Sequence, residues 1–556
     1  MSIDRTQIRW NGWGWIDRPD PLAARDEVWR WLARAFAMPT LLATPPRTLE
    51  DITLPEPRLA GPSLASFTAI LGADQVRQDK YERAFHALGR SYHDLLRLRA
   101  GEFAPPDAVL YPRNEDDVLA VLRLAVEREV AVVPYGGGTS VVGGVSASRG
   151  DFSSVVSLDL SMMDHVTEID LVSGTASAEA GITGPELERE LAVKGAILGH
   201  RPQSFEFSTL GGWIAHHGSG QEGGRYGRAT DWLAGVRVAT PQGIFTGNEA
   251  PASAAGPDMI RLMLGSEGVL GVVTQARVRI HNLPEREEYR GWLFRDFAAG
   301  IAAIREAVRE GIPHTMLRLS DAAETQFADR FIAPSRQRDW RARLEQAWLD
   351  LHSFDDNVAG LIAGFAGSDR EVSRARGRFG ALARRLGALA LGEAPGRRWR
   401  EQRYLTPYLR DPLLDQGAGI DTLETAASWS KLPALYAAVR AALDAAMRCN
   451  APREDAQGIV LCHISHAYAD GASLYFTFLF PRKLDAEIEQ WRAIKRAASD
   501  ALLAAGGTIS HHHGVGEDHL AWMEREKGAP GIAMLRAVKH ALDPKGVLNP
   551  GKLIPR

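Results

Sequence analysis

The stretch Pro134-Tyr-Gly-Gly-Gly-Thr-Ser140, which continues Val141-Val142-Gly143-Gly144, decides the fold of this chain. It follows the apolar run Val130-Ala-Val-Val, so a strand is predicted to lead into a turn made almost wholly of glycine. Glycine tolerates positive φ and has no side chain, so a ligand can approach the backbone closely. The bare N–H groups, with the hydroxyls of Thr139 and Ser140, would form a nest for phosphate oxygens. The stretch therefore predicts that the protein holds a nucleotide cofactor.

Two later stretches are also punctuated by glycine. They are Pro202-Gln-Ser-Phe-Glu-Phe-Ser208-Thr-Leu-Gly211-Gly212-Trp-Ile-Ala215 and Gly265-Ser-Glu267-Gly268-Val-Leu-Gly271. We call 134–144, 202–215 and 265–271 the first, second and third loops. None has the G-x-G-x-x-G pattern that opens a helix, and none is a phosphate loop with Lys-Ser or Lys-Thr. The sequence thus predicts a cofactor gripped by backbone at several points, and it disfavours nicotinamide-type folds and nucleoside triphosphatases.

Composition bounds the class of protein. The chain has 556 residues, too many for one core, which predicts about two to four domains. Its net charge of −4 is not segregated into tails, so nothing indicates a nucleic-acid partner. Cys449 and Cys462 are too few for a disulfide framework or a zinc site, which fits a reducing compartment.

Targeting signals are not evident in the sequence. The chain begins Met-Ser-Ile-Asp without an apolar signal core and ends Leu-Ile-Pro-Arg, which is not a peroxisomal address. No window approaches the ~20 apolar residues that cross a bilayer. We therefore expect a cytoplasmic protein, and its 14 tryptophans leave peripheral contact with a membrane open.

Periodicity and glycine–proline punctuation divide the chain into four parts. A helical N-terminal region comes first, then short apolar strands alternating with helices, then a second αβ region, and finally a loop-rich tail. Their bounds are 1–104, 105–283, 284–505 and 506–556. Single helices are predicted at 80–98, 370–400 and 432–448, and a strand at 474–480.

Two polar motifs lie outside the loops. In Ser510-His511-His512-His513-Gly514-Val-Gly516, successive side chains of an extended segment would point to opposite faces, so we predict no metal. Surface histidines are the alternative for a bare triplet, whereas the flanking glycines favour a constrained loop near a ligand, where imidazole suits proton transfer. The second motif runs from His463-Ile-Ser-His466 to Tyr475, and taken alone that tyrosine reads as strand packing.

The order and spacing of the three loops resemble the flavin domain of the vanillyl-alcohol-oxidase superfamily, over about residues 105–283. In that superfamily the loops hold the pyrophosphate, ribose and isoalloxazine of FAD. Many members tether the flavin through His or Cys, but the first loop here offers only Thr139 and Ser140, so the resemblance implies non-covalent FAD. His216 and His217, beside the second loop, are interpreted as flavin-pocket or surface residues.

The resemblance assigns cofactor binding to the three loops and to the turn after the second. The residues are Pro134, Tyr135, Gly136, Gly137, Gly138, Thr139, Ser140, Pro202, Gln203, Ser204, Phe205, Glu206, Phe207, Ser208, Ala215, His216, His217, Gly218, Gly265, Ser266, Glu267, Gly268, Val269, Leu270 and Gly271.

Five motifs carry a narrower resemblance. In chain order they are Arg9-Trp-Asn-Gly-Trp-Gly-Trp15, Tyr408-Leu-Arg410-Asp411, Glu424-Thr-Ala-Ala-Ser-Trp429, Tyr468-Ala-Asp-Gly-Ala-Ser-Leu-Tyr475-Phe and His511-His-His-Gly-Val-Gly516. Together they resemble the alkyldihydroxyacetonephosphate synthase family, nearly end to end. The resemblance implies an α+β fold: a helical N-terminal region, a two-part FAD-binding domain of PCMH type, an α/β cap domain with an antiparallel sheet, and a loop-rich C-terminal tail that returns to the flavin.

The same resemblance implies an activity. Enzymes of that family make an ether-lipid precursor by exchanging the acyl group of acyl-dihydroxyacetone phosphate for a long-chain alcohol, through a covalent flavin N5 adduct and without net redox. FAD is thus the expected cofactor, that phosphate ester and the alcohol are the expected substrates, and a homodimer is the expected assembly.

Motif matches imply the catalytic roles. Tyr475 matches the proton-transfer tyrosine, and His511, His512, His513 and Arg318 are assigned to the same site. A free phenol has a pKa of about 10 and is a weak base at neutral pH. We therefore expect cationic or hydrogen-bonding neighbours, with the histidine loop and the arginine as candidates.

Arg410 matches the arginine that grips the substrate phosphate. A guanidinium suits that role because it binds phosphate bidentately and stays charged, although an isolated arginine more often makes a structural ion pair. Trp10, Trp13 and Trp15 have two readings, core packing or an apolar tunnel or membrane-facing patch for the acyl and alkyl chains.

Two other functions are weighed against this one. FAD-dependent 2-hydroxyacid dehydrogenases of the D-lactate or glycolate type share the flavin domain and the sequence Asn549-Pro-Gly-Lys552. They usually carry His-x-Gly-Asp-Gly-Asn-x-His, of which residues 466–473 keep fragments and lack the second histidine. A flavin-binding scaffold without catalysis is disfavoured, because holding FAD does not need separate His, Tyr and Arg motifs.

Overall fold

The computed structural model describes residues 4–23, 25–331 and 357–555. Two large hydrophobic clusters organise them. One joins the sheets between residues 108 and 278 to the end of the tail, and the other lies around the sheet of the cap. Within the described ranges, no helix has both the length and the hydropathy that a bilayer crossing needs.

The N-terminal part is helical, as predicted. Its helices are α1 (Asp26–Ala35), α2 (Gly61–Leu71), α3 (Lys80–Phe85) and α4 (Tyr92–Ala100), and short 3₁₀ turns lie at Arg5–Gln7 and Ala73–Gln75. The single helix predicted at 80–98 is two helices, because the chain turns at Gly89 and Ser91 caps α4 in a reciprocal pair with Asp94. A β-carbon at Gly89 would lie 2.6 Å from the carbonyl oxygen of Ser140, so this turn sits directly against the first loop.

The first sheet carries the first loop. Its strands are β1 (Val76–Arg77), β2 (Ala108–Leu110), β3 (Val130–Tyr135) and β4 (Ser154–Asp159), in the order β1-β2-β4-β3, with β2, β4 and β3 parallel. Helix α5 (Glu115–Arg128), capped by Asn114, connects β2 to β3. Strand β3 is buried along nearly all its length, as a strand inside a parallel sheet should be. The first loop begins where β3 ends.

The second sheet is antiparallel and carries the other two loops at its margin. Its strands are β5 (Val166–Asp170), β6 (Thr175–Glu179), β8 (Leu233–Thr240), β9 (Gly243–Thr246) and β10 (Val272–Arg279), in the order β5-β6-β10-β8-β9. Around it lie α6 (Gly184–Val193), α7 (Leu210–Ala215), α8 (Gly223–Tyr226), α9 (Ala229–Trp232) and α10 (Met259–Met263), with β7 (Ala196–Ile197) paired to β11 (His281–Asn282). The second loop runs into α7, and the third loop leads into β10.

The cap contains the predicted antiparallel sheet, which is confirmed. Its strands are β12 (Arg286–Phe294), β13 (Met316–Ser320), β14 (Ala359–Gly367), β15 (Leu389–Gly392), β16 (Ala418–Ser428), β17 (Ile459–Ala467) and β18 (Gly471–Pro481), in the order β15-β12-β14-β13-β17-β18-β16. Its helices are α11 (Phe297–Arg309), α12 (Ala322–Phe331), α13 (Asp369–Arg385), α14 (Ala394–Gln402), α15 (Arg410–Asp415), α16 (Leu432–Cys449) and α17 (Glu487–Ala504). A 3₁₀ turn lies at Thr406–Leu409.

The helix predicted at 370–400 is interrupted by a strand. Helix α13 ends before Gly387, which has φ +78°, and the chain then adds β15 to the edge of the sheet before α14 begins. An Ala- and Leu-rich sequence fits a helix or an edge strand equally well, so the glycine decides between them.

The tail differs from the predicted loop-rich segment. It contains the twenty-residue helix α18 (Met523–Leu542), kinked at Gly528 and Pro530, whose presence hides the helical pattern in the sequence. Beyond that helix the chain returns to β3, where Val132 exchanges backbone hydrogen bonds with Val547 and Asn549, each 2.8 Å long. The end of the tail therefore extends the first sheet.

Candidate active site

The three loops meet at one place, and glycine allows the approach. A β-carbon added at Gly137 would collide with the carbonyl oxygen of Phe207 in the second loop. One added at Gly268, where φ is +71°, would lie 2.8 Å from Cγ of Pro134. The first loop therefore lies between the other two, against the backbone of one and with its proline against the other.

The backbone amides of the first loop are available to a ligand. Within the described ranges, the N–H groups of residues 137–140 donate to no protein acceptor, while the Ser140 hydroxyl accepts from the N–H of Gly144 at 2.9 Å. Successive unpaired amides form an anion-binding nest. Nearby, the buried Nε2 of His216 has no hydrogen-bond partner. These features fit the pyrophosphate of a dinucleotide cofactor.

The aromatic side chains of the second loop face the neighbouring parts of the protein. Phe205 stacks on Tyr404 with ring centroids 5.5 Å apart. Phe207 contacts Trp13 edge-on at 6.0 Å and Trp15 at 5.2 Å. Of the two readings of these tryptophans, the structure shows packing, since Trp13 is only 5% exposed.

The polar side chains of the second loop are partly used within the protein. Glu206 pairs with Arg18 at 3.1 Å. The Ser208 hydroxyl accepts from Nε1 of Trp213 at 2.8 Å. Residues 202–206 are half-buried, and residues 207–210 are buried. Several side chains of the second loop thus anchor it to neighbouring parts of the protein.

The third loop is tied to the tail. The carboxylate of Glu267, a residue with φ +52°, accepts the N–H groups of Val515 at 2.5 Å and Gly516 at 2.7 Å. Nδ2 of Asn549 donates to the carbonyl oxygens of Glu267 at 2.6 Å and Gly144 at 3.1 Å. One residue of the tail therefore fastens the first and third loops together, and the Glu267 side chain positions the tail.

The two histidines after the second loop have different surroundings. His217 has φ +52°, and its Nε2 hydrogen-bonds the hydroxyl of Thr230. Burial lowers the pKa of His217 to about 4. His216 instead lies at the first loop, where a β-carbon on Gly144 would be 2.7 Å from its Nε2. Of the pair, His216 is the one that faces the junction of the loops.

The structure brings Tyr475 together with two residues of the histidine triplet. Tyr475 lies on β18 and is only 9% exposed. Its ring is 6.0 Å from that of His512 and 5.5 Å from that of His513, and it stacks on His463 of β17 at 4.9 Å. His511 lies farther along the loop, where its Nε2 is 2.7 Å from the hydroxyl of Tyr468.

The charge state of this cluster differs from the expected one. Burial lowers the pKa of His512 to about 3, and it lowers the pKa values of His511 and His513 well below the usual range. Burial raises the pKa of Tyr475, while Arg410 acts to lower it. The phenol is therefore surrounded by neutral imidazoles, and the cation that acts on it is Arg410 rather than the histidine loop or Arg318.

Arg318 is held by two partners on its own side of the sheet. It donates to Oε1 of Glu324 at 2.7 Å and to His463 at 2.7 Å. Burial acts to raise the pKa of Glu324, but its neighbours His463 and Arg318 lower it to about 2. Arg318 thus reaches Tyr475 through His463 and makes no direct contact with the phenol.

Arg410 is a buried cation with spare binding capacity. Its side chain donates to the carbonyl oxygen of Arg90 at 2.5 Å, and within the described ranges it forms no ion pair with a carboxylate. Oδ2 of the neighbouring Asp411 is already occupied, because it accepts the N–H of Trp13 at 2.9 Å and pairs with Arg9 at 3.5 Å. A buried guanidinium without a counter-ion fits an anionic ligand.

Three histidine nitrogens are close enough together to hold a metal. Ligand atoms of His466, His511 and His512 lie within 4.8 Å of one another, so the third member is His466 and not His513. Each already has a partner: Nε2 of His466 faces the carbonyl oxygen of Gly220 at 3.0 Å, and the Nδ1 atoms of His511 and His512 are 2.9 Å apart. The guanidinium of Arg228 also donates to the His511 carbonyl at 2.8 Å. We assign no metal to this cluster.

Two carboxylates that contact the predicted site residues, Glu324 and Glu424, were not among the candidates from the sequence. Glu424 appears in a quoted motif, but its contact with the histidine triplet has no signature in the sequence. Glu324 follows Arg318 by six residues across a strand–helix junction, a spacing that indicates nothing without the fold.

Comparisons with known proteins agree on the class. A family model described as FAD binding domain matches residues 106–246, and one described as FAD linked oxidases, C-terminal domain, matches 283–553. An alkyldihydroxyacetonephosphate synthase of Trypanosoma brucei brucei is 33% identical over 99% of this chain and 92% of its own length. One of Dictyostelium discoideum is also 33% identical, over 99% of this chain and 94% of its own length. A solved alkyldihydroxyacetonephosphate synthase structure superimposes with a TM-score of 0.84 at 31% identity, covering 99% of this chain and all of the other.

Proposed function

The chain belongs to the alkyldihydroxyacetonephosphate synthase family of FAD-dependent alkyl transferases, and from that premise we propose that it exchanges the acyl group of acyl-dihydroxyacetone phosphate for a long-chain alcohol. The observation that carries the proposal is an arginine, Arg410, that is buried without a carboxylate partner in the described part of the chain and whose charge acts on Tyr475 and His513. Arg410 suits the binding of an anionic ester, whereas Tyr475 and the histidines suit proton transfer.

In this proposal Arg410 binds the phosphate of the substrate. Its guanidinium is buried, points to no carboxylate in the described part of the chain, and stays charged at any physiological pH. A phosphate placed there gains charge-assisted hydrogen bonds where water does not compete. Arg410 therefore both orients the ester and compensates its charge.

Tyr475 and the neutral imidazoles handle the proton. Because burial raises the pKa of Tyr475, the residue starts as a phenol and can donate a hydrogen bond or a proton. Burial lowers the pKa values of His512 and His513, so both are neutral at pH 7 and are weak bases that accept hydrogen bonds. We propose that the proton of the substrate carbon and that of the alcohol pass through this group of three side chains.

FAD is proposed to lie at the junction of the three loops. The amides of residues 137–140 would hold its pyrophosphate, residues 202–204 and 265–271 would line its path, and His216 would face it. Bound FAD supplies the electrophilic centre that the exchange requires. Since the first loop offers no His or Cys, the flavin is held without a covalent bond.

The remaining partners follow from the lipid substrates. We propose a cytoplasmic homodimer that contacts membranes peripherally, where acyl ester and long-chain alcohol are delivered. Light scattering gives the mass of the particle, and co-sedimentation with phosphatidylcholine vesicles tests the contact. A monomer that stays in the supernatant would contradict both points.

The decisive experiment uses the purified yellow protein without oxygen. Acyl-dihydroxyacetone phosphate is added first and a long-chain alcohol second, while the flavin spectrum is recorded and products are analysed by mass. We expect bleaching, recovery on addition of alcohol, and an alkyl ether product. Bleaching by a 2-hydroxyacid, with no response to the phosphate ester, would contradict the synthase and favour a dehydrogenase.

A further inference from the structure

Glu424 lies in the middle of β16 and is 1% exposed. Its carboxylate receives four donors from one short segment of the tail. Oε1 accepts the N–H of His512 at 3.0 Å, the N–H of His513 at 2.7 Å and the hydroxyl of Ser510 at 2.9 Å. The other oxygen, Oε2, accepts the N–H of His511.

Among the described side chains, no lysine or arginine forms an ion pair with this carboxylate, and the basic group nearest to it is the imidazole of His513. Nδ1 of His513 is 3.5 Å away, and burial keeps that imidazole neutral. A buried carboxylate of this kind depends on the hydrogen bonds that it accepts. Conversely, the carboxylate sets the backbone geometry of residues 511–513, because their three consecutive amides all point to it. Glu424 and the histidine triplet thus fix each other.

The position of Glu424 relates that segment to the catalytic tyrosine. In the antiparallel pairing of β16 with β18, Glu424 is directly opposite Tyr475. Directly opposite residues project from the same face of a sheet, with β-carbons about 5 Å apart. The carboxylate therefore holds residues 511–513 beside the phenol by hydrogen bonds, and the rings of His512 and His513 contact Tyr475.

We propose that Glu424 is a positioning residue for the exchange reaction, acting through the backbone of His511–His513 to place their imidazoles against Tyr475. This inference rests on the proposed function for its kinetic part only, because the placement of the loop can be measured without turnover. It gives Glu424 a task distinct from substrate binding, which falls to Arg410.

The test compares Glu424→Gln with Glu526→Gln in the full-length holoenzyme. Glu526 is a matched control, because its carboxylate accepts the N–H of Ile509 at 3.0 Å and the hydroxyl of Thr508 at 2.8 Å. It therefore holds the same segment, but two residues before the histidines. In Glu424→Gln the new side chain retains one acceptor and turns an NH₂ group towards the amides, so their convergence is lost.

The first readout is hydrogen exchange resolved to single amides across residues 508–516, which needs no substrate. We expect Glu424→Gln to raise the exchange rate at residues 511–513 at least about tenfold, and Glu526→Gln to leave those three amides unchanged. Unchanged exchange in Glu424→Gln would overturn the proposal, whatever the activity. If glutamine at this position prevents folding, Glu424→Asp, which shortens the reach by one methylene, serves for the same comparison.

The second readout is the division of the effect between kcat and KM. We expect kcat to fall by about 100-fold in Glu424→Gln, the size that a displacement of about 1 Å can produce, with KM and FAD content within about twofold of wild type. Adding Glu424→Gln to Tyr475→Phe should cost nothing more, because both act on one unit. Additive losses, or equal losses in both glutamate variants, would overturn the proposal. A wild-type enzyme that forms no ether would instead refute the proposed function and leave the exchange result to decide on Glu424.

Discussion

The guanidinium of Arg318 donates to Nε2 of His463 across 2.7 Å. The guanidinium also lies 3.1 Å from Nδ1 of the same ring, and Nδ1 faces Oε2 of Glu324 at 3.1 Å. Because a guanidinium only donates, we assign Nε2, the nearer ring nitrogen, as its acceptor and the ring proton to Nδ1, which directs it to the carboxylate. Burial and Arg318 both lower the pKa of His463, which agrees with this neutral tautomer. His463 stacks on Tyr475, so the hydrogen bonds that Arg318 and Glu324 make to its ring fix one wall of the space around the phenol.

Glu324→Gln should loosen that wall. The amide can accept from Arg318 or from His463 but not from both, so a charge-assisted hydrogen bond worth about 1.5–3 kcal/mol is lost. We expect kcat to fall about tenfold or more while FAD remains bound. Glu306→Gln, which breaks a surface pair with Arg385, is the control and should leave kcat unchanged. Equal rates in the two variants would contradict the role of this wall.

Tyr475→Phe should remove turnover and leave the flavin in place. The ring remains stacked on His463, but the hydroxyl that we propose as the proton donor is gone, so we expect a loss of about 100-fold or more in kcat. The ratio of flavin to protein absorbance measures retention of FAD. Tyr436→Phe is the control, because its hydroxyl bonds Asp321 outside the site. Loss of FAD from Tyr475→Phe would mean that the hydroxyl serves binding and not proton transfer.

Arg410→Ala should act on the Michaelis constant for the phosphate ester. Losing charge-assisted hydrogen bonds worth about 1.5–3 kcal/mol corresponds to a rise in KM of about 10- to 150-fold. Arg410→Lys keeps the charge without the bidentate geometry and should lie between. The exposed Arg453, paired with Asp455, provides an alanine control. An unchanged KM in Arg410→Ala would refute phosphate binding at this residue.

Gly137→Ala should empty the cofactor site. A methyl group there collides with the carbonyl oxygen of Phe207, so the first and second loops must separate. We expect purified protein with little or no flavin, measured by absorbance after denaturation. Gly377→Ala, in α13 with no atom within 4 Å of the new β-carbon, should retain FAD and gain up to about 1 kcal/mol in stability. A fully loaded Gly137→Ala variant would disprove the proposed site.

Stability should depend on pH through buried imidazoles. Burial lowers the pKa of His200 to about 3, so it stays neutral in the folded protein when the unfolded chain takes up a proton near pH ~6.5. The unfolded state then binds more protons, and the free energy of unfolding falls as the pH drops below that value, by about 1.4 kcal/mol per unit. Burial raises the pKa of Asp321 to about 6, which acts in the opposite sense.

A variant isolates the contribution of that histidine. His200→Phe keeps an aromatic ring against Trp213 and removes the titrating group. Urea unfolding between about pH 5 and pH 7, at fixed FAD concentration, should show a dependence on pH reduced by about one proton. The exposed His165→Phe is the control and should keep the wild-type dependence. Identical slopes in wild type and His200→Phe would contradict the neutral, buried state.

Much of the fold could be predicted because local patterns were strong. The apolar run before Pro134 and the glycines after it defined a strand and a loop, and the high strand propensity at 474–480 located β18. Prediction failed at Gly387, where a single residue decides between a continued helix and an edge strand. It also failed in the tail, where Gly528 and Pro530 interrupt the sequence pattern of a helix that forms nevertheless.

The site was predicted unevenly for a different reason. Motifs led to the prediction of Tyr475 and the histidine triplet, which the structure brings together, and their catalytic roles stay a prediction. Their charge states could not be predicted, because burial depends on what packs around them. The roles of Glu324 and Glu424 depend on contacts between segments 139 and 87 positions apart in the chain, which no local pattern encodes.

The carboxylates of Glu424 and Glu267 hold the tail by hydrogen bonds, and this has a consequence for synthesis of the protein. Both carboxylates leave the ribosome well before the amides that satisfy them, which belong to residues 511–516. Until those residues emerge, the carboxyl of Glu424 has none of the donors that hold it in the folded protein, and burial, which raises its pKa, would favour its protonated form. A chain that ends before residue 511 would therefore lack the donors that both carboxylates need, and we expect it to leave the histidine loop and the third loop without their mutual anchors.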